Sequence, residues 1–258
     1  MTGRFVVRVS VAPVNGEPRA GSEQVSQALA GHPVERLDSG EREPWMRVRL
    51  RDGYEGWMHR GYLSEVDRSK PPNGAGAPRI SLGCVVRDAG GARRALPLGA
   101  WLADAFVVEK GEVVEQAAMA RRFPSTAAAA AQTASTMFEG TPYEWGGLTP
   151  WGADCSGLVQ TVFALHGIAL PRDAREQAGR GQAVDAGDAL GGLVAGDLAF
   201  FSDREDGGIT HVAIALGASR LVHLALGRGG YAVEDLAHAP DAYARRLLAR
   251  FRWARRAV

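Results

Sequence analysis

Two short segments, HVAIAL at 211–216 and RLVHLAL at 220–226, constrain this chain more than any other feature. Each alternates large and small side chains with the period of two that an extended strand imposes. In the first, Val212, Ile214 and Leu216 take one face, and His211, Ala213 and Ala215 take the other. In the second, Val222, Leu224 and Leu226 oppose His223 and Ala225. Gly217-Ala218-Ser219 between them is short enough to close a hairpin. Matching parity then buries the bulky faces against a core and sets both imidazoles on one face, on adjacent strands. The alanines leave room there for a helix N-terminus or a bound molecule to come close.

The segments upstream supply helices. Pro124-Ser125-Thr126 before AAAAAQTASTMFEG predicts a capped helix ending at Gly140. Asp154 to His166 predicts a second, with Leu158, Val159, Val162 and Phe163 on the same stripe as Cys155. With DLAFF at 197–201 as a further strand, residues 123–258 read as an α+β domain, helices packed on an antiparallel sheet. Residues 1–68 differ in character. FVVRVSV and WMRVRLRDGYEGWM, with Asp52-Gly53 as a turn, predict a small all-β domain. The Pro/Gly-rich KPPNGAGAP from Lys70 to Pro78 reads as a linker. Residues 79–122, with short apolar runs at 84–86 and 106–108 split by glycines, predict a second small β unit.

Composition narrows the partners. A net charge of +1 over 258 residues provides no field to draw the chain to nucleic acid or anionic lipid. The C-terminal arginines 245, 246, 250, 252, 255 and 256 alternate with Leu247, Leu248, Phe251 and Trp253, the pattern of a solvated face over a packed one. No run reaches transmembrane length. The N-terminal MTGRFVVRVSVAPV lacks the unbroken apolar stretch of a signal peptide, so the expectation is a cytoplasmic protein, or an exported one if a leader has been removed. Oligomeric state is not legible.

The two cysteines, Cys84 and Cys155, are too few for a disulfide framework. Cys84 lies in an apolar Val-Val context and reads as inert. Cys155 sits where a helix begins, after the Gly-rich WGGLTPWGAD, where free N–H groups and the positive end of the helix dipole favour thiolate. By position alone it is equally a small buried side chain on the apolar stripe. The histidine pair adds the parts of a nucleophilic triad. His211 would take the thiol proton and later protonate a leaving amine, while His223 would hold the distal nitrogen of His211. The Cys155 N–H is a natural oxyanion donor. Zinc held by Cys155, His211 and His223 is the competing use, although no CxxC or HExxH spacing accompanies it. The expectation is no metal and no cofactor.

The stretch TPYEWGGLTPWGADCSGLVQTVFALHGIALPRDAREQ, followed by GDLAFF, THVAIAL and LVHLAL, resembles the NlpC-type cell-wall peptidases, a papain-like family that cuts peptidoglycan peptides. The resemblance covers about residues 125 to 226. It implies Cys155 as nucleophile, His211 as base, His223 as the third polar residue, and Tyr143 near the oxyanion site. RDGYEGWMHRGYL resembles a bacterial SH3-like domain, which makes 1–68 a small barrel and 79–122 a second copy. This layout is similar to the γ-D-glutamyl-L-diamino acid endopeptidases of muropeptide recycling. The resemblance then implies L-Ala-γ-D-Glu-diamino acid peptides as substrates. Asp154 and Ser156 would hold the free L-Ala amine and the D-Glu carboxylate, with Glu23 and Tyr54 contributed by the SH3-like region. An exported hydrolase of intact wall, an amidase or acyltransferase on the same fold, and an inert binding protein are the alternatives.

Overall fold

The computed structural model describes residues 4–39, 42–66 and 77–257. Most of the expected linker, residues 70–76, lies outside the described residues. The chain divides into two compact units, Met1–Arg122 and Phe123–Val258.

In the first unit, seven strands form one antiparallel sheet. They are β1 (Arg4–Val7), β2 (Val11–Asn15), β3 (Gln24–Leu29), β4 (Pro33–Arg36), β5 (Trp45–Arg49), β6 (Glu55–His59) and β7 (Leu63–Glu65), ordered β3-β2-β6-β5-β4-β1-β7. The predicted alternation is visible in β5 and β6, where Met46, Val48 and Met58 are wholly buried with Val14 and Ala12. Burial of each of these valine and methionine side chains contributes roughly 1.5–3 kcal/mol. Next come β8 (Arg79–Arg87), β9 (Arg93–Leu102) and β10 (Val107–Glu115), a three-stranded sheet ordered β10-β8-β9. The two sheets share a core: Leu29 and Ala30 pack with Cys84, Val86, Leu96, Ala100 and Leu102. Gly31, at φ +77°, lets the backbones meet, since a Cβ there would lie 2.3 Å from the Trp101 carbonyl oxygen. Residues 79–122 therefore pack into one unit with the described part of the N-terminal region, around a shared interior.

A short helix α1 (Met119–Arg122) ends the first unit. The second unit opens with α2 (Ala127–Met137), capped by the Thr126 hydroxyl, which accepts the Ala129 N–H at 3.3 Å. The small hairpin β11 (Leu148–Thr149) and β12 (Gly152–Ala153) leads directly into α3 (Cys155–Leu165) and the short α4 (Ala174–Gln177). The remaining elements are β13 (Gln182–Val184), β14 (Leu198–Phe201), β15 (His211–Gly217), β16 (Arg220–Ala225), β17 (Gly230–Asp235), α5 (Ala242–Ala249) and β18 (Phe251–Arg256). The sheet they form is antiparallel, in the order β13-β18-β14-β15-β16-β17.

The hairpin between β15 and β16 turns through Ala218 and Ser219, both at positive φ (49° and 66°), the backbone of the turn that matches strand twist. Its register sets Ile214 opposite Val222 and Ala215 opposite Leu221. Parity then puts His211 and His223 on the face of Ala213, Ala215 and Leu221. The space left by those alanines is filled by Ala244 and Leu247 of α5 together with Leu190 and Leu193. The element that comes close on this face is thus α5. Helices α2 and α3 pack on β15 and β16 over the bulky residues Val212, Ile214, Val222 and Leu224.

Candidate active site

Cys155 is the first residue of α3, and Asp154 is its cap. One carboxylate oxygen, Oδ1, accepts the Gly157 N–H at 2.7 Å, the Ser156 hydroxyl at 3.2 Å and Arg172 Nη1 at 3.0 Å. The other, Oδ2, accepts the Gly146 N–H at 2.8 Å and Arg172 Nη2 at 2.6 Å. Arg172 Nη1 also donates to Ser156 Oγ at 2.9 Å. All three side chains are buried. The loop before the helix and its first turn are thereby held as one body. Gly157 completes it: a Cβ there would stand 2.0 Å from the Gly147 carbonyl oxygen.

The sulfur of Cys155 faces the Val212 and Ser156 N–H groups, with the residue 6% exposed. The expected easy thiolate does not follow. Burial, and then the Asp154 charge, push the thiol up to about 12, against the smaller opposing pull of Val212 N–H, Arg172 and Ser156 N–H. Helix-tip amides are present, but desolvation wins. The resting thiol is protonated and requires a base.

Val212 follows His211, so the backbone group that touches the sulfur adjoins the first imidazole. His211 Nε2 and His223 Nδ1 are 2.7 Å apart, with rings tilted 70° to each other. Burial first, and then the neighbouring His223, hold His211 well below its ordinary pKa, so it rests as neutral imidazole. Among the described residues no group of three His, Cys, Asp or Glu side chains is placed to hold a metal ion.

Tyr143 lies on the loop whose N–H bonds the Gly229 carbonyl at 3.0 Å. Its phenol is raised by burial first, then by the Cys155 and Asp154 groups, which marks it as a neighbour of the sulfur. Tyr243 of α5, its ring 6.2 Å from that of His223, is raised by burial and then by Glu234. The second unit thus gathers Tyr143, Asp154, Cys155, Ser156, His211 and His223. Glu23 and Tyr54 belong to the first unit, Glu23 exposed and Tyr54 packed on the core of the seven-stranded sheet.

Sequence reading missed Arg172, Glu234 and Tyr243. Arg172 stands in PRDAREQ like any surface charge, and its burial comes from folding back on Asp154, 18 positions earlier. Glu234 is on β17, opposite Leu221, and so on the histidine face one strand further out. Strand β17 has no clean alternation to announce it.

Residues 140–247 match the NlpC/P60 family and residues 12–64 the bacterial SH3 domain. A gamma-D-glutamyl-L-lysine dipeptidyl-peptidase of Bacillus subtilis is 41% identical over 88 residues, 34% of this chain and 28% of that protein. The bifunctional muramidase/DL-endopeptidase CwlT of Bacillus subtilis is 49% identical over 86 residues, 33% of this chain and 25% of that protein. The chain therefore aligns with only about a quarter of these curated relatives. A crystal structure of an NlpC/P60 family protein from Bacillus cereus shares the fold, with a TM-score of 0.77 at 20% identity over 98% of this chain and 99% of that one. An NlpC/P60 endopeptidase from Photobacterium damselae subsp. piscicida has a TM-score of 0.64 at 15% identity, over 89% of this chain and 64% of that one. With helices packed on an antiparallel sheet around Cys155 and an SH3-like fold before them, this chain carries an NlpC/P60 domain preceded by a bacterial SH3 domain.

Proposed function

We propose that the protein is a cysteine endopeptidase of peptidoglycan-derived peptides, with Cys155 as nucleophile, His211 as base and His223 as the group that orients it. One observation carries this reading: the Cys155 thiol stands at a helix tip beside the Val212 N–H, next in the chain to His211, whose imidazole is tied to that of His223 at 2.7 Å. His211 Nδ1 takes the Sγ proton as sulfur attacks the scissile carbonyl. The Cys155 N–H donates to the developing oxyanion, with Tyr143 beside it. The leaving amine receives the proton from His211, and water then resolves the thioester.

We further infer that the bond cut is the one after D-Glu in L-Ala-γ-D-Glu-diamino acid peptides with a free amino terminus. The Bacillus subtilis relative named for γ-D-glutamyl-L-lysine dipeptidyl-peptidase activity supports this choice. An incoming ammonium would share the Asp154 carboxylate with Arg172, and Ser156 would meet the D-Glu carboxylate. The test is incubation with defined muropeptides, N-terminally free or acetylated, read by mass. Cleavage of the free peptide after D-Glu, lost in Cys155→Ala and on acetylation, is expected. Intact free peptide with reduced Cys155 would overturn the reading. Cleavage that ignores acetylation would remove only the amine selection.

A further inference from the structure

The reading of Cys155, His211 and His223 leaves one question of proton order. The 2.7 Å contact between His211 Nε2 and His223 Nδ1 holds a single hydrogen, and either ring can own it. If His223 owns it, neutral His211 must carry its proton on Nδ1 and has no lone pair left for the thiol. The site works as a base only if His211 keeps the hydrogen on Nε2. His223 must then be bare at Nδ1 and protonated at Nε2.

The other nitrogen of His223 decides the matter. His223 is wholly buried, and its Nε2 has no hydrogen-bond partner within bonding distance. Glu234 Oε1 stands 3.6 Å from it, also buried. A lone pair on Nε2 would face that carboxylate oxygen with like sign, whereas an N–H would be attracted to it, and in a dry site the difference is large. Glu234 is kept ionised by Arg228, which donates from Nε to Oε1 at 2.7 Å and from Nη2 to Oε2 at 2.9 Å. Arg228 is in turn held by Asp241, the cap of α5, at 2.7 and 3.2 Å, and it lies over the Tyr243 ring at 4.4 Å. Burial raises the Glu234 carboxyl, but His223 and Arg228 outweigh it and leave it below its ordinary range.

We propose that Glu234 is a positioning residue of this site: its carboxylate fixes His223 as the Nε2–H tautomer, so that His223 Nδ1 accepts from His211 Nε2 and the His211 Nδ1 lone pair is free for the Cys155 proton. The proposal rests on the reading of Cys155 and His211 as nucleophile and base. One face of three successive strands carries the series, with His211 on β15, His223 on β16 and Glu234 on β17. No proton passes to Glu234. The thiol proton stops at His211 Nδ1, and the resulting imidazolium is steadied through His223 by the fixed negative charge. The groups around Glu234 are His223 from β16, Arg228 from the turn before β17, and Tyr243 of α5, with Asp241 reaching it only through Arg228.

The test needs no substrate in its first arm. Imidazole 15N spectra of the intact protein at neutral pH should show His223 and His211 each protonated at Nε2. A His223 ring protonated at Nδ1 would overturn the proposal whatever the enzyme cuts. In Glu234→Gln, with folding checked by near-ultraviolet circular dichroism, the His223 tautomer should become mixed. Muropeptide cleavage should drop about 10- to 100-fold in kcat, with KM within about two-fold. The acid limb of its pH profile should move down, because the imidazolium loses a stabilising charge. Glu234→Asp should restore part of kcat. An unchanged tautomer and an unmoved limb in folded Glu234→Gln would overturn the proposal. If Glu234→Gln does not fold, the wild-type spectrum decides alone. If no muropeptide is cut, the functional reading fails while the tautomer result still stands.

Discussion

Arg172 and Asp154 meet fork to fork, Nη2 to Oδ2 at 2.6 Å and Nη1 to Oδ1 at 3.0 Å, with both side chains nearly excluded from solvent. A buried pair of this geometry is strong while intact and costly when halved, because the survivor is left charged in a dry site. The guanidinium also braces Ser156, and its charge works against the elevation of the Cys155 thiol.

Arg172→Ala is therefore expected to lower stability by about 3–5 kcal/mol and to push the Cys155 thiol higher still. Urea melts give the first quantity, and the pH dependence of iodoacetamide alkylation gives the second. Arg172→Lys should recover little of either, since an ammonium cannot grip both oxygens. A loss below about 1 kcal/mol in Arg172→Ala would show that the fork contributes nothing beyond a surface pair.

The thiol makes its own prediction. Folded Cys155 keeps its proton up to about 12, while an unfolded cysteine loses it near 9, so between these values the native state binds more protons. Stability then falls as pH rises, by roughly 1.4 kcal/mol per pH unit in that window. Cys155→Ala should lack this component. Comparison of wild type and variant by denaturant melts at about pH 7.5 and about pH 10.5 isolates it, and parallel behaviour of the two would refute the assignment.

His32 contributes at the acid end. Its Nε2 lies 2.9 Å from the Gly99 carbonyl oxygen, linking the seven-stranded and three-stranded sheets. Burial, and next the Arg51 charge, lower it from 6.5 to about 4. The unfolded chain takes up a proton that the folded chain refuses, so stability is lost as pH falls from 6.5 towards 4. The loss is up to about 3 kcal/mol. His32→Asn should start less stable but lose less over that range, measured by urea melts at about pH 7 and about pH 4.5.

Gly157 tests the fit between helix and loop. Gly157→Ala puts a methyl 2.0 Å from the Gly147 carbonyl oxygen, a backbone atom that cannot swing aside. We expect a destabilisation of about 2–3 kcal/mol and a loss of cleavage larger than the stability change accounts for, because the loop that carries Tyr143 must move. Thermal melts and single-turnover assays separate the two effects.

The sequence alone determined whatever depends on neighbours along the chain. Period-two alternation put both imidazoles on one strand face, a short turn set their strands side by side, and Asp154 before an apolar helical stripe placed Cys155 at a helix start. Tertiary structure decided what depends on distant groups and on exclusion of water. The α5 helix, and not α3, fills the space beside Ala213 and Ala215. Arg172 reaches Asp154 through a fold of the chain, and Glu234 reaches His223 only through the register of β17 against β16. The state of the thiol belongs to the same group. Helix-tip amides are visible in a sequence, but the loss of water around the sulfur, which raises its pKa to about 12, exists only once the core has closed over it.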